Sequence, residues 1–190
     1  VVRKANEDAF AIETWDEVAV VCVCDGVASA PGSADISEVA AITAAETVLE
    51  AVRTSNWTEL SDDDRADVLD EATERAQAAT LSAGQADSAN APASTYVLAV
   101  LSPGVLDVAW LGDSRAYWIN EFGPELLTSD HNHRNAVAEA QPDLGAAQLA
   151  ELANGAALVR YLGPDGDGEP PEIVHFDPGD APGMVVVCSD

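Results

Sequence analysis

Val18-Ala19-Val20-Val21-Cys22-Val23-Cys24-Asp25-Gly26 is an apolar, β-branched run that stops abruptly on a carboxylate and a glycine. It is short for a helix and suits a pleated surface, so it predicts a strand buried on both faces with Asp25 at its end. A carboxylate in that position is partly desolvated, and a cation or a hydrogen-bond network must compensate it. Gly26 lets the backbone bend and come close to whatever Asp25 holds. Taken alone, Asp25-Gly26 is also an ordinary turn at a strand end.

Working outward, Ala9 to Glu13 alternates as a shorter strand, and Trp15-Asp16-Glu17 is the turn into the central run. Strands joined so tightly pair antiparallel. Glu7 and Asp8, near the start of one, then reach the sheet edge where Asp25 ends the other. Carboxylates gathered at one edge repel one another, which points to a bound polyvalent cation. Downstream, a small-residue loop over 27–33 leads to an amphipathic helix. Asp35 and Glu38 have capping-box spacing there, and Ile36, Val39, Ala40, Thr43, Thr47, Val48 and Ala51 form its apolar stripe. A second helix runs from about Ser61 to Ser82, capped by Ser61 or Asp62, with Val68, Leu69, Ala72, Ala76 and Ala79 on its buried face.

Strands resume over 94–101 and 105–111, followed by short strands at 115–119 and 126–127. Weak helices are expected near 135–140 and 146–153, short strands at 158–162 and 173–175, and a final buried strand over Met184 to Cys188. Strands, then two helices, then strands predict an α+β layered fold rather than a Rossmann alternation. The 190 residues, 47% of them hydrophobic, suffice for one core and one domain. The chain opens on Val1-Val2 as if in mid-strand and closes just after an apolar run, so it reads as one domain, 1–190, incomplete at both ends.

Asp plus Glu number 34 against 8 Lys plus Arg, a formal charge of -26 that repels nucleic acid and anionic membranes. Cys22, Cys24 and Cys188 lie in apolar runs, and an odd count without C-x-x-C pairs indicates reduced core thiols and a cytoplasmic setting. Lys4 is the sole lysine and no Walker pattern exists, which excludes a P-loop nucleotidase; Ser29 and Ser33 lack the context of a nucleophilic serine. No segment reaches membrane-spanning length.

Arg3-x-x-x-Glu7-Asp8, Val23-Cys24-Asp25-Gly26, Ser94-Thr95, Leu111-Gly112-Asp113-Ser114-Arg115-Ala116, Leu127-Thr128-Ser129-Asp130-His131, Arg160-Tyr161-Leu162-Gly163 and Val187-Cys188-Ser189-Asp190 follow one another in a familiar order and spacing. The chain resembles the metal-dependent type-2C (PPM-type) serine/threonine protein phosphatases over nearly its whole length. That resemblance implies a four-layer α-β-β-α sandwich, two antiparallel sheets flanked by helices, with a two-metal site at one end. It implies that Asp25 bridges two Mg²⁺ or Mn²⁺ ions, that Glu7 and the Gly26 carbonyl complete one, and that Asp190 holds the other. Asp8 would orient the attacking water, Arg3 would grip the substrate phosphate, and Asp113 resembles the ligand of a third, weaker metal. The implied substrates are phosphorylated proteins, targets of a serine/threonine kinase, acted on by a monomer. Oxygen donors suit hard divalent ions, and two such ions sharing a water lower its pKa for attack on phosphorus.

Departures from the family pattern keep a second reading open. Val27 stands after Asp-Gly where some members carry a histidine that protonates the leaving oxygen, and the family continues past Asp190 to a further metal-binding aspartate. The alternative is a catalytically inactive phosphatase-like domain that binds a partner. Asp113 reads equally as a metal ligand or a turn residue, Arg115 as structural and paired with an acid, and His131 and His133 as partly exposed loop histidines.

Overall fold

The computed structural model describes residues 6–27, 32–83, 91–166, 168–179 and 182–189. The opening hairpin is β1 (Asp8–Trp15) and β2 (Val18–Asp25), antiparallel from Asp8↔Asp25 to Trp15↔Val18. Its turn is tighter than expected, because Trp15 stays in the strand and only Asp16 and Glu17 reverse the chain. Asp16 takes a φ of 51°, a left-handed conformation that Asp tolerates and that matches the twist of a two-residue hairpin.

With β3 (Tyr96–Ser102), β4 (Val105–Leu111) and β7 (Glu172–Phe176), the hairpin builds a five-stranded antiparallel sheet of order β1-β2-β3-β4-β7. A second sheet of order β6-β5-β8 comprises β5 (Arg115–Asn120), β6 (Gly123–Leu126) and β8 (Gly183–Cys188). Two antiparallel sheets with helices are thus the architecture, as the element order predicts. The long helices α1 (Ser33–Thr54) and α2 (Asp62–Ala83) cover one face of the larger sheet, while α3 (His133–Ala140) and α4 (Ala146–Ala150) follow β6. The 158–162 stretch forms only isolated bridges, Ser94↔Leu162 and Asn132↔Leu158, rather than a strand.

Two cores follow from strand alternation. Val20, Cys22, Cys24, Leu98 and Val100 face the helices, and Val97, Ala99, Val108 and Trp110 face Ala116 and Trp118 of the second sheet. Burial on both faces holds for β3 but only in part for β2, where Val21 and Val23 are half-buried. The second sheet is narrower than the first and lies over its middle, leaving Phe10 and Ile12 of β1 exposed. β8 pairs only with β5 among the described residues, so Met184 is exposed and the strand is an edge rather than the buried strand expected.

The helices bury most of the expected faces, Ile36, Ala40, Thr47 and Val48 in α1 and Leu69, Ala72 and Ala76 in α2. The buried face of α1 is wider than expected and takes in Ala41, Ala44, Ala45 and Val52, with Val39, Thr43 and Ala51 at its margin, because small residues let α1 meet both α2 and the sheet. Gly32, at φ 90°, starts this helix without a side-chain cap, and Asp35 lies inside the first turn. α2 is capped as read: Ser61 Oγ accepts the Asp64 N–H at 3.1 Å. Its buried row includes Thr73 and Thr80 rather than Val68 and Ala79, each hydroxyl donating to a carbonyl one turn back. Cys22 and Cys24 share the helix-facing core, and burial, with Cys24 close by, pushes the Cys22 thiol up.

Candidate active site

Register alone brings the hairpin's acids together. Asp8 lies directly opposite Asp25, and cross-strand partners project to the same face with Cβ atoms about 5 Å apart. Because Cys24 points to the helices, Asp25 and Asp8 belong to the face that looks toward the second sheet. The Glu7 carbonyl accepts the Gly26 N–H at 3.0 Å, placing Glu7 beside Gly26 on this rim. A Cβ on Gly26 would stand 2.9 Å from the Glu7 carbonyl oxygen and 2.9 Å from Ser33 Cβ, so only glycine fits between β1 and the start of α1. Asp8 Oδ1 is buried and has no hydrogen-bond partner among the described residues. A cleft of about 630 Å³ opens beside it, with Phe10, Val23, Glu38, Val187 and Ser189 in its walls.

One strand over, Thr95 fastens this corner. Its Oγ1 accepts the Asp25 N–H at 2.9 Å and its own N–H donates to the Asp25 carbonyl at 2.8 Å. Ser94 Oγ, 2.9 Å from Ser37 Oγ of α1, reaches the same carbonyl at 3.2 Å. None of these bonds uses the Gly26 carbonyl. Asp113 lies in the turn after β4, beside Gly112 at φ 107°, and strand spacing sets it about 10 Å from Asp25.

A brace behind Asp113 was only partly legible. Arg115 pairs with Asp130 through two bonds of 2.8 and 2.7 Å, as the sequence suggests, and that carboxylate, then Tyr117, raises the guanidinium above its ordinary pKa. His131, expected in a partly exposed loop, is buried against Trp110. Its Nδ1 accepts the Gly112 N–H at 3.1 Å, which leaves Nε2 to donate to Glu172 3.0 Å away. His133 is exposed as read. Arg3 and Asp190 lie outside the described residues, as do Ala28 to Pro31 after Val27. Among the described residues, no three Asp, Glu, His or Cys side chains converge as a metal cage.

A family model described as Protein phosphatase 2C matches residues 2–141. The chain belongs to the protein phosphatase 2C family. A Mycoplasma pneumoniae protein named "Putative protein phosphatase" is 29% identical over all of this chain and 73% of its own length. Among solved structures, the fold is similar to that of the S. agalactiae serine/threonine phosphatase, at TM-score 0.75 and 19% identity over 97% of this chain and 73% of that one. The catalytic domain of the serine/threonine protein phosphatase PstP, in complex with two manganese ions, has TM-score 0.61 and 17% identity over all of this chain and 73% of that one. At such identities the structures testify to the fold.

Phosphatases of this family are metal-dependent. The rim suits a hard divalent cation: its donors are oxygens, Gly26 permits close approach, and the unpartnered Asp8 Oδ1 faces a like charge across the pair. A more enclosed cavity of about 310 Å³, between α2 and the 161–171 segment, has Asp70, Glu74 and Glu169 in its walls and would repel a phosphate. There the Asp70 carboxyl is raised by burial first, then by Asp67 and Glu74. A raised carboxyl stabilises the fold below its unfolded pKa and loses that contribution as pH climbs through the folded value. Asp70→Asn is therefore expected to raise Tm at pH 7, with the advantage over the parent shrinking toward pH 4 in a series of thermal melts.

Proposed function

We propose that the phosphatase hydrolyses phosphoserine and phosphothreonine in kinase-modified proteins, with Mn²⁺ or Mg²⁺ at the β1–β2 rim. The observation that carries this reading is the register that sets Asp8 against Asp25 and Glu7 against Gly26 in a chain of this family. Asp25, Glu7 and the Gly26 carbonyl would hold the ions, together with Asp190. The divalent ions, when bound, supply Lewis-acid activation of the attacking water and offset the charge of the phosphoryl oxygens. Asp8 would orient the attacking water by accepting a hydrogen bond from it. Arg3 presents two N–H donors to the phosphate and offsets charge that builds as the bond to the leaving oxygen lengthens. Asp113, about two strands from Asp25, would hold a third and weaker ion.

The test is hydrolysis of p-nitrophenyl phosphate and of a phosphothreonine peptide by the chain with millimolar MnCl₂. Both are expected to be cleaved, with activity abolished by EDTA and restored by excess Mn²⁺. Hydrolysis that survives EDTA defeats the metal mechanism. A chain that binds Mn²⁺ yet cleaves neither compound is the partner-binding alternative instead.

A further inference from the structure

We infer that the buried hydroxyls of Thr95 and Ser114 act as a positioning pair that sets the distance between Asp25 and Asp113, and with it the affinity of the rim for divalent ions. The inference rests on the metal-dependent reading above and deepens it. Regular pairing of β2 with β3 ends at Val23↔Val97, and that of β3 with β4 at Tyr96↔Leu111. Beyond those points β2 and β3 share only the isolated Gly26↔Ser94 bridge, and β1 holds Asp25 from its other side through Asp8, so the tie from Asp25 across to the Asp113 turn depends on few contacts. Thr95 takes over there: it binds both backbone groups of Asp25, at 2.9 and 2.8 Å. Its Oγ1 lies 2.6 Å from Ser114 Oγ, the residue after Asp113.

The proton arrangement is consistent in one direction. Thr95 Oγ1 accepts the Asp25 N–H, so its own O–H is available to donate to Ser114 Oγ. Both residues are 2% exposed, and neither hydroxyl has water to fall back on. Thr95 also closes against the backbone of the Asp113 turn, for a Cβ on Gly112 would stand 2.8 Å from Thr95 Cβ. Two short contacts therefore span three strands and leave little play between the two acidic turns. Groups that hold metal ligands in place influence affinity without touching the ion.

Thr95→Val keeps the shape and removes the hydroxyl, Ser114→Ala removes one oxygen, and Thr95→Ser restores the bond. Mn²⁺ binding by calorimetry and Tm without metal are measured for each, alongside the Mn²⁺ dependence of p-nitrophenyl phosphate hydrolysis. Thr95→Val and Ser114→Ala are each expected to weaken Mn²⁺ binding about tenfold or more. Thr95→Ser stays close to the parent, and the double variant is no weaker than the worse single one because one contact serves both. Unchanged Mn²⁺ isotherms with a lowered Tm overturn the inference and leave the hydroxyls a structural tie. A parent chain that binds no Mn²⁺ overturns the metal reading, and the inference with it. Should Thr95→Val fail to fold, Ser114→Ala alone decides between these outcomes.

Discussion

Asp25→Asn is expected to reduce Mn²⁺-supported hydrolysis by on the order of a thousandfold or more while the metal-free protein melts no lower than its parent. Asparagine keeps the N–H and carbonyl that Thr95 binds. What it removes is one of two carboxylates facing each other across an antiparallel pair. Like charges in that position destabilise a sheet by a few tenths of a kcal/mol up to about 1 kcal/mol, so their removal favours the metal-free fold. Mn²⁺ reverses the balance. A ligand at about a hundred times its Kd stabilises the native state by roughly 2.7 kcal/mol, and the variant forgoes that gain. The signature is thus a crossing: Asp25→Asn melts at or above the parent in EDTA and below it in millimolar Mn²⁺. A variant that keeps a tenth of the activity, or the full Mn²⁺ shift in Tm, removes Asp25 from the site.

The hairpin was legible because its signals are local. An apolar run ending in Asp-Gly, a two-residue turn and alternating neighbours specify register, and register alone carries Glu7, Asp8, Asp25 and Gly26 to one rim. What sequence reading missed depends on who packs against whom. The α1 stripe is dominated by alanine, which satisfies several helix faces equally, and only the presence of both α2 and β1 selects the row that is buried. The final apolar run looked like a core strand because hydropathy does not report how many neighbours a strand has, and β8 has β5 alone among the described residues. His131 looked like an exposed loop histidine, since nothing local announces that Trp110 stacks on it and Gly112 bonds to it. One further signal is local: Asp107 is the single acid within Val105 to Leu111, and an acid inside a buried strand must have a partner.

That partner network supports the second large effect, Asp107→Ala, expected to cost about 3–5 kcal/mol of stability while leaving the chemistry intact. Asp107 is fully buried on the helix side of β4. Trp57 Nε1 donates to its Oδ2 at 2.8 Å, and His175 Nδ1 of the neighbouring strand lies 2.6 Å from its Oδ1. Arg65 Nε is 3.0 Å from Oδ2, near enough for an ion pair although not aligned as a hydrogen bond. Arg65 itself is buried, anchored to the Leu60 carbonyl at 2.6 Å and paired with Asp62. Removing Asp107 therefore leaves the buried Trp57 indole N–H without its acceptor and takes from the buried Arg65 the carboxylate beside its Nε, with only the exposed Asp62 left as its counter-charge. For a chain of this length, about 2–4 °C of Tm per kcal/mol puts the loss at roughly 10 °C. The site is remote: Asp107 pairs with Val100, which pairs with Val20, and Val20 is about 17 Å along β2 from Asp25. Mn²⁺-dependent hydrolysis at 20 °C should then stay within about twofold of the parent while the variant remains folded, cleanly separating stability from catalysis. The double substitution Arg65→Met with Asp107→Leu, which removes both charges, is expected to melt above Asp107→Ala, because a buried pair lost whole costs less than a buried charge left alone. A Tm within about 2 °C of the parent for Asp107→Ala would show instead that water or a rearranged Arg65 already serves that guanidinium.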